Sequence, residues 1–170
     1  MIVFEEKLGD ILDLLPVVKD ANDNEFKPFY NWGTQDVLNK YLTIEKNQLN
    51  YPLIWLVNGK DEYDEFRQKA KRNNARLVIA MHSDKVDEFN PFIYQTDYKM
   101  ILNPLLDNII KALERSNISN IYEGSYSIER LPNYSVTSRG DKNKTVDIWN
   151  AIVFDCSIEI NSKCLKQIKF

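Results

Sequence analysis

Apolar residues recur at every second position from Ile148 to Ile160, with Asn150 the one exception. Ile148, Asn150, Ile152, Phe154, Cys156, Ile158 and Ile160 share one side of an extended chain, and Trp149, Ala151, Val153, Asp155, Ser157 and Glu159 share the other. Period two sustained over this length predicts a strand with one buried face. At about 3.3 Å per residue it spans roughly 40 Å, about twice a usual strand, so it should cross the sheet of a small domain or project beyond it. Its second face is itself divided. Trp149, Ala151 and Val153 are too apolar for open solvent and should lie under a helix or a neighbouring molecule, whereas Asp155 to Glu159 should meet water.

The remaining pattern supplies what packs on that strand. Phe4, Leu8, Ile11, Leu12 and Leu15 fall at helical spacing, and Pro16 stands where a helix should stop. Val17 to Tyr30 reads as a loop interrupted by Pro28 and anchored by Phe26, Phe29 and Tyr30. Thr34 is placed to cap a short helix carrying Val37, Leu38, Tyr41 and Leu42, with Trp32 before the cap as a staple. Tyr51 to Val57 is apolar on both sides, which predicts a strand inside the sheet or under a partner, ended by Asn58-Gly59. Arg76 to His82 predicts a second such strand.

Between those strands the signals conflict. In Asp61 to Asn74 the acids come first and the bases last, and Tyr63, Phe66 and Ala70 share a helical face, which suits a crossover helix between parallel strands. A long charged loop between antiparallel strands fits equally well. Asp84 to Pro91 reads as a charged loop. Tyr98, Leu102, Leu105, Ile109 and Leu113, widened by Ile101, Leu106 and Ile110, then trace the strongest helical stripe. Pro104 lies inside it, predicting either a kink after a start near Thr96 or a helix that begins at Pro104 with Asn103 as its cap. Ile121 to Leu131 reads as extended, with Tyr122, Tyr126 and Ile128 on one face, and Pro132 to Val146 as a long loop.

Length and composition then bound the class. With 170 residues, 44% of them hydrophobic, the chain is long enough to bury a core as one α+β domain, 1–170, with long loops at about 59–75 and 132–146. A net charge of -3 argues against a surface that grips nucleic acid everywhere. No run approaches the length of a membrane span, and the N-terminus lacks a basic segment followed by an uninterrupted apolar one, so an intracellular site of assembly is expected. Cys156 and Cys164, too far apart along an extended strand to bridge, read as reduced thiols. The Asn-x-Ser/Thr triplets at Asn117, Asn133 and Asn143 then have no role.

Candidate chemistry is sparse. The single histidine, His82, has no Cys or His at metal-ligand spacing. No nucleophile elbow, phosphate-binding loop or dinucleotide fingerprint is present, and five scattered glycines could not build one. Asp61, Glu62, Asp64 and Glu65 lack the alternation of a calcium loop, and Arg139-Gly140-Asp141 stands in a chain with no export signal. Neither a catalytic residue, a cofactor site nor a metal site is therefore expected. Arg139, Lys142 and Lys144 make the long loop locally basic. Aromatics form 12% of the chain, and several fall in predicted loops: Phe26, Phe29, Tyr30, Phe89, Phe92, Tyr94 and Tyr134. Such anchors, an overlong strand and a two-sided strand suit a subunit that completes its burial against neighbours.

The order of segments carries a resemblance. The N-terminal amphipathic helix, a short second helix, YPLIWLV followed by ARLVIAMHSD, the helix in TDYKMILNPLLDNIIKALERS and the final DIWNAIVFDCSIEI together resemble the small neck and tail-completion proteins of tailed bacteriophages, the tail-terminator type above all. The likeness covers most of the chain and lies in pattern and local phrasing, with no catalytic motif.

It implies an α+β subunit with a mainly antiparallel sheet and the N-terminal and central helices on one face, and it favours the antiparallel strand pair with 61–74 as a projecting hairpin loop. It also implies a closed homo-oligomeric ring of about six or twelve subunits in the virion neck, assembled in the host cytoplasm. Portal-side, neck and tail proteins would be its partners, and DNA would pass through the channel without specific binding. Trp55, Tyr63, Phe66, Tyr134, Arg139, Lys142, Lys144 and Trp149 are the candidate subunit or partner contacts. The loop at 132–146 is not accounted for by the likeness. Two other readings stand beside it: a small intracellular protein-binding or regulatory domain, and an enzyme built on the acidic cluster.

Overall fold

The computed structural model describes residues 2–42, 51–83, 94–132, 134, 148–163 and 170. In chain order its elements are α1 (Phe4–Leu12), β1 (Val18–Lys19), β2 (Glu25–Phe26), β3 (Phe29–Gly33), α2 (Gln35–Leu42), β4 (Leu53–Val57), β5 (Asp61–Asp64), β6 (Lys69–Ser83), a π-helical segment (Tyr94–Leu102), α3 (Asn103–Arg115), β7 (Ser119–Leu131) and β8 (Ile148–Asn161). The fold is α+β. A six-stranded sheet runs in the order β3-β4-β6-β8-β7, with β5 paired to β6 off that path, and is antiparallel except for the parallel pair β3–β4. The strand read from period two is β8, and it lies inside the sheet between β6 and β7.

The segment at 61–74 is not a crossover helix: β4 and β6 are antiparallel, as the resemblance favoured, and where a projecting hairpin loop was expected the hairpin is itself paired strand. Asp61–Asp64 pairs antiparallel with Lys69–Arg72, making a hairpin that prolongs β6 beyond β4. Its alternation was hidden because one side carries Asp61, Tyr63, Ala70 and Arg72, of which only Ala70 is both apolar and buried, while Glu62, Asp64, Lys69 and Lys71 take the other side. Asn73 and Asn74 form a bulge within β6, where the register slips between Arg72 and Ala75 and Asn74 takes φ 55°. Asn tolerates that left-handed conformation better than most residues. The slip returns both Arg72 and Ala75 to the buried face. β7 bulges at the same level of β8, between Ile121 and Tyr126.

Each face of the sheet carries its own core. On one, Ile54, Leu56, Ile79, Ile152, Phe154 and Ile158 pack against Phe4, Leu8 and Ile11 of α1 and Leu105, Ile109 and Leu113 of α3. The N-terminal and central helices therefore share a face. The short helix α2 takes the opposite one, where Leu38 and Leu42 cover Leu53, Trp55, Val78, Trp149, Ala151 and Val153. This is the cover that the apolar half of the strand's second face required. Beyond it Asp155, Ser157 and Glu159 are only half-buried.

Local causes are visible at the element ends. The Thr34 hydroxyl accepts the Val37 N–H at 3.3 Å and starts α2. Trp32 does not staple that helix; it lies in β3, 44% exposed, and stacks on Tyr30 with centroids 5.8 Å apart. The segment 17–30 is more ordered than a loop, because Asp20 accepts the Asn22 and Asn24 N–H groups and closes the β1–β2 hairpin. Pro104 sits in the first turn of α3, where its missing N–H needs no α-helical partner. The stripe is nevertheless continuous, because π-helical turns carry Tyr98, Ile101 and Leu102 onto the same core. Asn103 does not cap α3; its side-chain oxygen accepts the Arg130 guanidinium. The predicted loops at 84–91 and, apart from Pro132 and Tyr134, at 132–146 lie outside the described residues.

Candidate interaction surface

The eight candidate contacts part into three groups. Trp55 and Trp149 belong to the core, each 1% exposed, and so cannot serve a neighbour. The Trp55 indole N–H donates to the Gly33 carbonyl at 3.3 Å and its ring meets Tyr41 at 5.5 Å. The Trp149 indole N–H donates to the Leu42 carbonyl at 3.3 Å, and its ring meets His82 edge-on at 5.5 Å. Both signals, large aromatics on two-sided strands, came from a second face that α2 covers. Tyr134 packs half-buried against the same core; its hydroxyl accepts from Gln35 at 2.9 Å and its N–H donates to the Trp149 carbonyl. Arg139, Lys142 and Lys144 lie outside the described residues.

Tyr63 and Phe66 are the pair that the fold brings together at a surface. Tyr63 on β5 is 47% exposed, and Phe66, in the turn between β5 and β6, is fully exposed. The turn has its own local cause: the Asp64 carboxylate accepts the Arg67 N–H at 3.0 Å, and Gln68 takes φ 50°. Ser162, beyond β8, donates its N–H to the Gln68 carbonyl at 3.2 Å and its hydroxyl to the Gln68 side chain at 2.7 Å. The tip is thus tied to the sheet.

Beneath the hairpin lies a buried ionic cluster that the sequence did not reveal. Arg72, 1% exposed, donates to Asp61 and to Glu5 of α1, over the Phe4 ring at 4.4 Å from its centroid. Burial works against the guanidinium charge, but the two carboxylates more than offset it and hold its proton more tightly than usual. Burial, with the Asp61 carboxylate beside it, also pushes the Tyr63 phenol up. The acidic run divides because a strand alternates: Asp61 turns towards Arg72, whereas Glu62 reaches Asn73 on the other side. Among the described residues no group of three or more His, Cys, Asp or Glu is placed to hold a metal ion.

The two outer strands carry further exposed apolar groups. On β7, Tyr126 and Ile128 remain open beside Phe154, and Tyr122 stands on the other face under Lys71, whose ammonium lies 3.6 Å from the ring centroid. At the opposite end of the sheet, Trp32 on β3 and Val37 on α2 are exposed on either side of Gly33. Tyr126 and Ile128 share a face as the period-two pattern implied, but Tyr122, expected beside them, is put on the other face by the bulge. No described helix is long and apolar enough to cross a membrane. Comparison of the chain with protein-family models, with curated proteins and with solved structures finds no match.

Proposed function

We propose that this chain is a non-enzymatic structural subunit of a tailed-phage particle, forming a closed homo-oligomeric ring of the tail-terminator or head–tail connector kind around the DNA channel of the neck. The observation that carries the assembly half of this reading is the pair of dissimilar apolar edges, Trp32 and Val37 by β3 and Tyr126 and Ile128 on β7, at opposite ends of one sheet. A ring closes through heterologous contacts, which need two different patches on opposite sides of the same subunit. Outer strands also present backbone groups for pairing with another chain. The neck location rests on the resemblance in segment order, and the net charge of -3 suits a channel that passes DNA without holding it.

Electron microscopy and native mass spectrometry of the purified chain, alone and with portal-side and tail proteins of the same particle, test this reading. A closed ring that Ile128→Asp prevents, with circular dichroism unchanged, is the expected result. A wild-type chain that stays monomeric with all those partners would overturn it.

A further inference from the structure

We propose that the tip of the β5–β6 hairpin is a self-complementary knob and socket that pairs two copies of this chain about a two-fold axis. The knob is Phe66, a fully exposed phenyl ring on a turn fixed by Asp64, Gln68 and Ser162. A ring held on a tethered turn loses less conformational freedom on docking than one on a free loop.

The socket lies on the flank of the same hairpin. It is a cavity of about 480 Å³ whose lining includes Ile2, Tyr63, Asp64, Glu65 and Lys69. Ile2 and the Tyr63 ring supply apolar lining, and Asp64, which the Arg67 side chain of the same chain touches only at 3.7 Å, and Glu65 supply acidic lining. Lys69 does little to offset those acids, because its ammonium is engaged by Glu159 at 2.5 Å. Arg67 stands next to Phe66, with its side chain 73% exposed and only a 3.7 Å contact to Asp64. The tip therefore offers an apolar ring followed by a cation, and the socket accepts an apolar ring beside anions.

This complementarity selects the occupant: the hairpin tip of a second copy. Because knob and socket stand on one hairpin, a single two-fold axis seats both Phe66 rings at once and brings each Arg67 to the other copy's Asp64 and Glu65. The pairing does not rest on the ring. It uses the hairpin, whereas the ring would use the ends of the sheet, so it would join two free subunits or two rings alike.

Photo-crosslinking tests it directly. With Phe66→p-benzoylphenylalanine in an equal mixture of unlabelled and ¹⁵N-labelled chains, the expected cross-links join labelled to unlabelled chain and fall on Ile2, Tyr63, Gln68 or Ser162. Cross-links that stay within one chain, or that land on β7, would overturn the pairing. Sedimentation equilibrium supplies the second measurement, on Phe66→Ala and on charge reversals. Phe66→Ala is expected to weaken self-association at least tenfold. Arg67→Glu and Glu65→Arg should each weaken it, and their combination should restore it. Association unchanged by Phe66→Ala, or a wild-type chain monomeric at every concentration, would overturn the proposal. Ile128→Asp serves as the control, because it removes a ring contact and leaves the hairpin pair intact.

Discussion

The Arg72 guanidinium on β6 joins α1 to the hairpin: Nη2 donates to Glu5 and Nε to Asp61, each at 2.5 Å. Its Nη1 has no hydrogen-bond partner among the described residues, where the cation's charge partners are these two carboxylates. Removing one member of a buried ionic group leaves uncompensated charge, at a cost of about 3–5 kcal/mol. Arg72→Met should therefore destabilise the chain by about that much in urea unfolding, because Glu5 and Asp61 are left facing each other. Glu5→Gln, which leaves one carboxylate on the cation, should cost less. An Arg72→Met chain as stable as the wild type would show that the cluster does not hold α1 to the sheet.

Buried acids weaken the fold on the alkaline side, Cys156 and Tyr98 together with Tyr30, whose phenol burial pushes up further still. Burial, with Asp155 nearby, pushes the Cys156 thiol up to about 12, and burial pushes the Tyr98 phenol, whose hydroxyl donates to the Ala151 carbonyl, up to about 12. In the unfolded chain these groups ionise near their ordinary values of 9.0 and 10.0. Between those values and about 12 the folded state binds more protons, so stability is fully present below pH 9 and falls as the pH rises from there. Each group adds at most about 1.4 kcal/mol of loss per pH unit. Urea midpoints taken from pH 8 to 11 should fall steadily, and Cys156→Ala with Tyr98→Phe should make that limb shallower, leaving the part that Tyr30 contributes above its ordinary value of 10.0. A limb as steep in the double variant would place the titration elsewhere.

Phe154 is the centre of the larger core, fully buried on β8 with Tyr126 at 5.3 Å. Phe154→Ala should cost about 3–5 kcal/mol through the cavity it leaves. Phe154→Asp adds an unpaired buried charge and should give no soluble folded chain. Circular dichroism of the soluble fraction separates the two outcomes. A folded Phe154→Asp protein would mean that the strand's faces are assigned the wrong way round.

How far the sequence could be read follows from where the periodicities are clean. β8, β4, α1 and the long helical stripe were legible because each has a face wholly given to core, and a buried face leaves the same period in sequence that it has in space. The 61–74 hairpin was not, because its outer face is solvated and its inner face includes an arginine, whose role depends on Glu5, far away in the chain. Trp55 and Trp149 were misplaced for a related reason. Two-sided burial in a strand has the same sequence signature whether the cover is a neighbour or a short helix of the same chain. α2 was legible as a helix, but the side of the sheet it takes was not. Phe66 and Tyr63 were named as candidate contacts and are exposed, whereas the socket beside them depends on Ile2 and Ser162, which no local pattern connects.

Gly33 is a case in which only the fold supplies the constraint. It ends β3 under the Trp55 indole, and a Cβ there would stand 2.7 Å from Trp55 Cζ2, closer than carbon atoms pack. The indole has little room to retreat, because its N–H is bonded to the Gly33 carbonyl and Tyr41 lies against its ring. Gly33→Ala should therefore behave as an overpacking substitution, costing about 1–3 kcal/mol, even though Ala has the better strand propensity. At about 2–4 °C per kcal/mol for a chain of this size, the loss is readable as a drop in Tm. Trp55→Phe removes the atom that clashes. On that background Gly33→Ala should cost clearly less than it does alone, because two residues in contact do not contribute independently. Equal costs on both backgrounds would show that the strain at Gly33 comes from something other than the indole.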